Sequence, residues 1–546
     1  MDKRFAFLPI FSLLSAAALA QPVINVPPLN SASYRTPGGA GSGIAQGSMF
    51  SIFGTGIGPS AGVTAYSFPL QTNLGGTTVQ VTVGTTQVSA IILYASSAQV
   101  NAILPSTTPV GAGSITATYN SQTSAPQPIQ VVAGAFGAFT YNSSGYGQAI
   151  ATDLSYQLNT IIHTFHPGDY GTLWGTGLGA ISGSDAEPPP TGNVGTVTVY
   201  VGNTPATVLY NGRSGFAGLD QIDFQIPQGV TGCSVPVAVE TGGISGNIGN
   251  FPTIAVSASG ETCTDSAMGQ TLVDMLAAGQ TVDFGYIRLE SWVAQYVPGS
   301  PGGNEDFGFA TFSEFTPSSA GLAGYGVSSG YCVAIDCSYG CGAVMDYTGN
   351  FGDSSPAQLD AGSVLSIVGA PPESLKPENA SGFYYGFLSQ DGRYLWSTQT
   401  YPVSGTGGTA VGQFSVNDVT SIPLVTLTGI TDLQNIPVTG DLTVQWTGGD
   451  PTLQNGQITI YAQSSNKTQF EFIQCTAPVT AQKFTIPGWI LASLPPSGTG
   501  GTAPYTYPEG WIQVGQYNKT TPFTATGLTS GIITDIFYNG IGVYFQ

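Results

Sequence analysis

The only two histidines, His163 and His166, stand three apart in Ile161-Ile-His-Thr-Phe-His-Pro-Gly168. A metal ion held there would need both imidazoles on one face and a further ligand nearby. Pro167 and the β-branched neighbours favour an extended segment, in which residues three apart point to opposite sides, so no metal site is expected. Gly326-Val-Ser328-Ser-Gly330 fits the G-x-S-x-G pattern of a serine nucleophile. Its hydroxyl would need a histidine to take the proton, and none follows residue 166. Cys332, Cys337 and Cys341, with distant Cys475, are spaced C-x4-C-x3-C and lack the C-x-x-C pair of a thiolate zinc site. Glu290, Glu305, Asp306 and Glu509 lie near aromatic residues, but a glycosidase pair is defined by its separation in space. Asn304-Glu305-Asp306 lacks the alternation of a calcium loop. The expectation is therefore no catalytic residue, no metal and no cofactor. What remains is aromatic. Trp292, Trp396, Trp446, Trp489 and Trp511 all follow residue 260, and Pro504-Tyr-Thr-Tyr-Pro-Glu-Gly-Trp511 groups Tyr505, Tyr507 and Trp511 as flat faces for a sugar or peptide. Burial for area alone is the competing reading of those rings.

The surrounding chain sets the context for these groups. Of 546 residues only 7% are charged, 41% are hydrophobic, and 76 are glycine, so the chain can bury cores and is not a disordered one. Ten Lys and Arg against 30 Asp and Glu leave a net charge of −20, which excludes a basic surface for nucleic acid. Residues 1–20 read as a secretory signal: Lys3-Arg4, the apolar run Phe5 to Leu14, then Ala18-Leu-Ala20 before Gln21. Its removal leaves a net charge of −21, with no later run long enough to span a bilayer. An exported chain with six cysteines is expected to form disulfides. Cys233 and Cys263 flank two strand-like runs, Val235 to Val239 and Thr253 to Val256, and each lies 15 residues from Ile248 in the glycine-rich turn between them. They are expected to pair, while Cys332, Cys337, Cys341 and Cys475 leave three pairings open.

The chain also repeats itself. Gly47-Ser-Met-Phe-Ser-Ile-Phe-Gly-Thr-Gly-Ile-Gly58 recurs as Gly168-Asp-Tyr-Gly-Thr-Leu-Trp-Gly-Thr-Gly-Leu-Gly179, an offset of 121. Val83-Gly84 then matches Val201-Gly202, Leu93-Tyr94 matches Leu209-Tyr210, and Gln99-Val-Asn-Ala-Ile-Leu-Pro105 matches Gln221-Ile-Asp-Phe-Gln-Ile-Pro227. Within each copy Thr78 to Val83 and Thr196 to Val201 alternate apolar and polar residues, as strands with one face on a core do. Short strands punctuated by Gly and Pro argue for sandwiches of two antiparallel sheets. The Gly-Thr-Gly turns are not followed by a helix N-terminus, which a phosphate loop requires.

These elements, with Gly232-Cys-Ser-Val-Pro-Val237 and Cys263, resemble the tandem immunoglobulin-like module of the IPT/TIG type, in the version abundant in secreted acidobacterial proteins. The resemblance covers about residues 30–260. It implies an Ig-like β-sandwich, an extracytoplasmic location and no intrinsic catalysis. The first copy departs from it by lacking the cysteine pair. The domain order expected is a signal at 1–20, a linker or strand at 21–40, Ig-like modules at 41–135 and 136–260, a β-rich region with one short helix at 261–420, and a C-terminal β-sandwich at 421–546. The helix is placed at Ser266 to Ala278, where Met268, Leu272, Met275 and Leu276 recur at helical spacing. The fold class is all-β. The function expected is that of a secreted or cell-surface spacer, adhesion or binding protein whose partner is an extracellular protein or a polysaccharide. The alternative is a carbohydrate-active protein with its working part in 261–546.

Overall fold

The structure is a computed structural model. It describes residues 21–546 apart from 242–243, 246–250, 264–267, 296–304, 324–325, 339–355, 368–372, 378–381, 390–394, 396–398, 421–424, 454–455 and 503–504. The signal segment, Cys341, Trp396, Asn304 and most of the turn around Ile248 lie outside the described residues.

Alternation drives the first module. In Thr77–Val83 the valines at 79, 81 and 83 are buried while Thr78, Gln80 and Thr82 are half-buried. Those valines meet Phe50, Ile52, Val100 and Ala102 across a core between two sheets. One sheet runs Val23–Ile24, Met49–Thr55, Gln99–Ile103, Ile91–Ala95, Val63–Thr64, and the other Ile44–Ala45, Gln127–Val132, Gly111–Tyr119, Thr77–Val83, Asn73–Leu74. The sandwich is Ig-like, with its short first strand lying parallel to its last, Ile44 beside Val131.

The second module repeats this in register. Tyr170–Thr176 takes the place of Met49–Thr55, and Trp174 faces Gln221 as Phe53 faces Gln99. Gly147–Gln148 runs parallel to Pro252–Val256, the counterpart of the first module's parallel pair. One difference changes the sheet count. Thr204–Arg213 is a single strand with a bulge near Val208, pairing at one end with Val197–Val201 and at the other with Asp220–Gln225. It joins both sheets into one of ten strands, where the first module uses two separate strands, Thr86–Ser89 and Ile91–Ala95.

The two copies of the repeated motif meet at one arginine. Arg213 Nη2 donates to the carbonyl of Gly47 at 2.9 Å and to that of Gly179 at 2.7 Å, the first residue of one copy and the last of the other. Its other terminal nitrogen pairs with Asp220, whose carboxylate also accepts the N–H groups of Gly177 and Leu178. The Gly-Thr-Gly turn thus holds a protein carboxylate. Burial pushes the Asp220 carboxyl up, against the pull of Arg213 and of the two amides.

Beyond residue 261 a fifteen-stranded sheet dominates. Its centre is Ser530–Phe545, parallel to Val282–Gln295 from Phe284 beside Ser530 to Gln295 beside Ile541. Along its main path four strands from after residue 420 lie between strands from before it, so residue 420 marks no break in the sheet. One face, the inner, is buried throughout. Ile460, Ile512 and Val514 pack on the three-stranded sheet of Val425–Thr428, Leu442–Gly448 and Lys483–Ile486. Ile287, Leu289 and Phe312 pack on the far end of the same sheet, which curls back to bring Leu365, Tyr401 and Val403 over them.

The helix is Gln270–Ala277, shorter at its start than the spacing suggests. Leu272, Val273 and Leu276 cover Val282, Phe284 and Phe315 at one end of the outer face. Cys233 is bonded to Cys263 with Cα atoms 5.5 Å apart, and Cys332 to Cys475, which face each other on adjacent antiparallel strands. Cys337 is also disulfide-bonded.

Candidate functional site

Period-two alternation puts a second set of side chains on the outer face of the large sheet, most of them covered: Tyr538 is 1% exposed, and Phe472, at 6%, also joins the core of Ile460 and Ile512. On Val282–Gln295 the residues sharing this face are Arg288, Glu290 and Trp292. Opposite them on Glu305–Phe315 stand Phe309 and Phe307, and beyond these on Phe383–Ser389 stand Tyr385 and Phe387. On the other side come Tyr538, then Tyr461 and Phe472. The rings touch in sequence. Phe472 lies 6.1 Å from Tyr461, Tyr461 5.4 Å from Tyr538, Tyr538 5.8 Å from Trp292, and Trp292 5.7 Å from Phe307. Phe307 then meets Phe387 at 4.8 Å, Tyr385 at 6.3 Å and Phe309 at 6.4 Å. The run crosses seven strands, roughly 29 Å at about 4.8 Å per strand.

A glycine makes the run continuous. Gly515 pairs with Tyr538 on one side and with Thr459, two residues from Tyr461, on the other, and a Cβ there would sit 2.4 Å from Cδ1 of Tyr538. The open end is the one at Phe387, which is 51% exposed. There the ring of Phe307 is within 31° of Phe309 and 29° of Tyr385, while Phe309 and Tyr385 are tilted 50° to each other and Phe387 stands edge-on to Tyr385 at 79°. Trp292, midway along the run, meets both Tyr538 and Phe307 edge-to-face.

One ion pair lies beneath these rings. Arg288 Nε is 2.7 Å from Glu290 Oε1, and Trp292 Nε1 donates to Glu290 Oε2 at 2.9 Å. The guanidinium also lies over the ring of Phe309, 5.1 Å from its centroid. The pair cancels its own charge and fixes the indole. Burial pushes the Tyr538 phenol well above the usual range, so it remains a neutral donor.

The sequence candidates fall in several places. Trp511 is on this same outer face, opposite Gln463 and Gly542, but only 8% exposed, because Pro508 rests on Gly542. Its indole is therefore not an open platform. Tyr507 belongs to the hairpin of Thr499–Thr502 and Tyr505–Pro508, 36% exposed, with its ring against Gly500. The Tyr505 side chain lies outside the described residues. Of the carboxylates, Glu290 joins the ring run, whereas buried Asp306 turns to the inner side and accepts the N–H of Leu395. Ser328 is buried and ties itself to Ser234 through two hydrogen bonds. His163 and His166 are both exposed. Among the described residues no group of three or more His, Cys, Asp or Glu is placed to hold a metal, and no helix is long and apolar enough to cross a membrane.

Sequence reasoning missed Phe307, Phe309, Tyr385, Phe387, Tyr461 and Tyr538. The available signal was the i, i+2 spacing in Phe307-Gly-Phe309, Tyr385-Gly-Phe387 and Arg288-Leu-Glu290-Ser-Trp292, which puts each set on one strand face.

Fold and site together define an all-β multidomain protein, Ig-like sandwiches followed by a large sheet with an aromatic outer face. No protein-family model matches the chain, and no curated protein does. Among solved structures it is similar to the S-layer protein rSbsC(31-844), at 9% identity over 96% of this chain and 54% of that one, TM-score 0.18. It is also similar to the Bacteroides ovatus mixed-linkage glucan utilization locus SGBP-B in complex with mixed-linkage heptasaccharide, at 10% identity over 91% and 100%, TM-score 0.14. Immunoglobulin domains 1–5 of Sidekick-1 match at 10% identity over 96% and 99%, TM-score 0.11. The chain spans about half the length of that S-layer protein. Likeness at this level bears on neither ligand nor activity.

Proposed function

We propose that this chain is an extracytoplasmic, non-catalytic binding protein of the cell surface or matrix. Two Ig-like modules of the IPT/TIG type act as spacers and hold out a C-terminal β region whose aromatic outer face takes polysaccharide. The observation that carries this reading is the ring group of Phe307, Phe309, Tyr385 and Phe387 at the open end of the run, with a self-neutralised Arg288–Glu290 pair beside it. Stacked rings offer flat apolar surface to the C–H faces of sugars. A net charge of −21 after signal removal disfavours polyanions and leaves neutral chains as the better ligands. Glu290 is held by Arg288 and Trp292, which suits a positioning role better than proton transfer. The export signal and disulfides in the sequence support the location.

The test is retention of the full mature chain on insoluble polysaccharides and on a glycan array, beside a Tyr385→Ala, Phe387→Ala double variant. Retention lost in a folded double variant is the expected result. No retention of the parent on any glycan would leave adhesion to protein, or spacing alone, as the function.

A further inference from the structure

The two Ig-like modules share more than their strands. In each, a tyrosine at the tip of a short loop takes a left-handed backbone, φ 50° at Tyr34 and 62° at Tyr156. Each donates its N–H back to the start of the loop at 3.0 Å, Tyr34 to Asn30 and Tyr156 to Asp153. Each also lays its ring beside the aromatic residue of the repeated motif. Tyr34 is 6.3 Å from Phe53 at 34°, and Tyr156 is 6.5 Å from Trp174 at 28°.

Polar groups recur next to these rings. Gln99 Nε2 donates to Asn101 Oδ1 at 2.9 Å, and Gln221 Nε2 donates to Asp223 Oδ1 at 2.9 Å. The four equivalences have offsets of 121 or 122. The modules thus repeat a whole constellation, an aromatic pair with an amide and a second amide or carboxylate on the neighbouring strand.

The surroundings of the two copies differ. In the first, the second module leans on the loop: Asn30 Nδ2 donates to the carbonyl of Thr176, and Gly145 packs so tightly on Ser33 that a Cβ would lie 2.2 Å from its carbonyl oxygen. Phe139, Thr140 and Ser143 thereby close over Tyr34 and Asn101 and leave a cavity of about 230 Å³. That is below the roughly 300 Å³ at which ligand pockets begin, space for a single ring at most. In the second, nothing comparable closes. Tyr156 is 77% exposed, and Leu154, two residues before it, is exposed as well.

We infer that Tyr156, Trp174, Gln221 and Asp223 form a saccharide-binding site on the second Ig-like module, of which the first module retains a partly covered copy. A tyrosine so exposed contributes little to a core, and holding it at positive φ costs free energy that burial does not repay. Stacked on Trp174 it widens a flat apolar surface for the C–H face of a pyranose. Asp223 accepts from Thr172 Oγ1 at 2.8 Å and from Gln221, and a carboxylate with about four lone-pair sites can still accept sugar hydroxyls. Its charge turns away acidic sugars, so the ligand is a neutral pyranose chain lying along the open face.

The test uses the full mature chain carrying Tyr385→Ala and Phe387→Ala, so that the C-terminal face does not contribute. Cellohexaose, xylohexaose, mannohexaose, laminarihexaose and chitohexaose, with hexagalacturonate as the acidic comparison, are titrated by tryptophan fluorescence and calorimetry. At least one neutral hexasaccharide is expected to bind and hexagalacturonate to bind more weakly. Tyr156→Ala added to this background is expected to weaken binding at least about tenfold with the melting temperature unchanged. Trp174→Phe, which keeps a ring, should weaken it less. Absence of binding to every neutral hexasaccharide in this background, or equal binding after Tyr156→Ala, would overturn the inference. The C-terminal reading is judged separately, by whether the double variant loses retention relative to the parent.

Discussion

Arg35 and Glu471 are 436 residues apart in the chain and meet in its interior, Nη2 to Oε1 at 2.8 Å, with side chains 3% and 0% exposed. Asp336 joins them, its Oδ2 3.4 Å from Arg35 Nη1, and also accepts the N–H of Thr36. The segment that reads as an N-terminal linker therefore locks the first module to the C-terminal sheet. Asn30, five residues earlier, locks it to the second module through the carbonyl of Thr176.

Replacing Arg35 by Met leaves buried Asp336 without the cation it pairs with and Glu471 without its hydrogen-bond donor. Such a deletion costs about 3–5 kcal/mol, far more than an exposed ion pair is worth. The expected outcome is a large drop in the urea midpoint of the C-terminal region, followed by tryptophan fluorescence. A loss below about 1 kcal/mol would show that water reaches the cluster.

Stability should fall as pH rises. Burial, with Asp418 nearby, pushes Asp535 up to about 8, and burial likewise pushes Glu471 up to about 8 against Arg35. Unfolded, these carboxyls titrate near 4, so between about pH 4 and 8 the folded chain keeps protons that the unfolded chain releases. Their contribution is complete below that window and is lost as pH climbs through it, at about 1.4 kcal/mol for each unit by which a pKa is raised. Thermal melts from pH 5 to 9 check this, and Asp535→Asn, which cannot ionise, should flatten the profile.

The two defined disulfides should differ in weight. Cys332–Cys475 closes 143 residues and Cys233–Cys263 only 30. Chain entropy then predicts about 5 kcal/mol for the first against about 3.6 for the second. Double Cys→Ala variants of each pair, unfolded in guanidinium, give the comparison, and an equal loss would count against the entropic account.

Gly515→Ala puts a methyl group into the ring of Tyr538 and should cost about 1–3 kcal/mol by overpacking. Gly215→Ala, where a Cβ meets nothing within 4 Å, should change stability by well under 1 kcal/mol. Urea titration of both variants separates crowding from the general effect of a glycine replacement.

Phe387→Ala should cost almost no stability, since the ring is half in solvent, yet should weaken polysaccharide retention at least about tenfold. Affinity electrophoresis in gels cast with soluble polysaccharide measures this. Unchanged mobility would remove the outer face from the binding role.

Local pattern carried a good deal of this. Thr78 to Val83 shows its buried face by alternation alone, and the repeat at offset 121 places Met49–Thr55 and Tyr170–Thr176 as the same strand of two sandwiches. Both are short-range properties that survive any rearrangement of neighbours. The candidate rings were harder to read, because proximity in sequence is a poor guide to proximity on a sheet. Tyr505, Tyr507 and Trp511 are close along the chain, yet Tyr507 and Trp511 belong to different sheets and only Trp511 lies on the outer face.

The chain by itself determined an all-β molecule, its duplicated modules and its acidic, low-charge character, since strand period, turn chemistry and composition are written residue by residue. The tertiary structure decided which strands became neighbours. Ser530–Phe545 enters beside Val282–Gln295 across more than 200 residues, and that pairing alone brings Tyr538 to Trp292 and carries the ring run through to Phe387. It also decided which of two equivalent tyrosines was partly covered. Tyr34 lies where the second module docks and Tyr156 does not, a difference set by packing between modules that share the same local design.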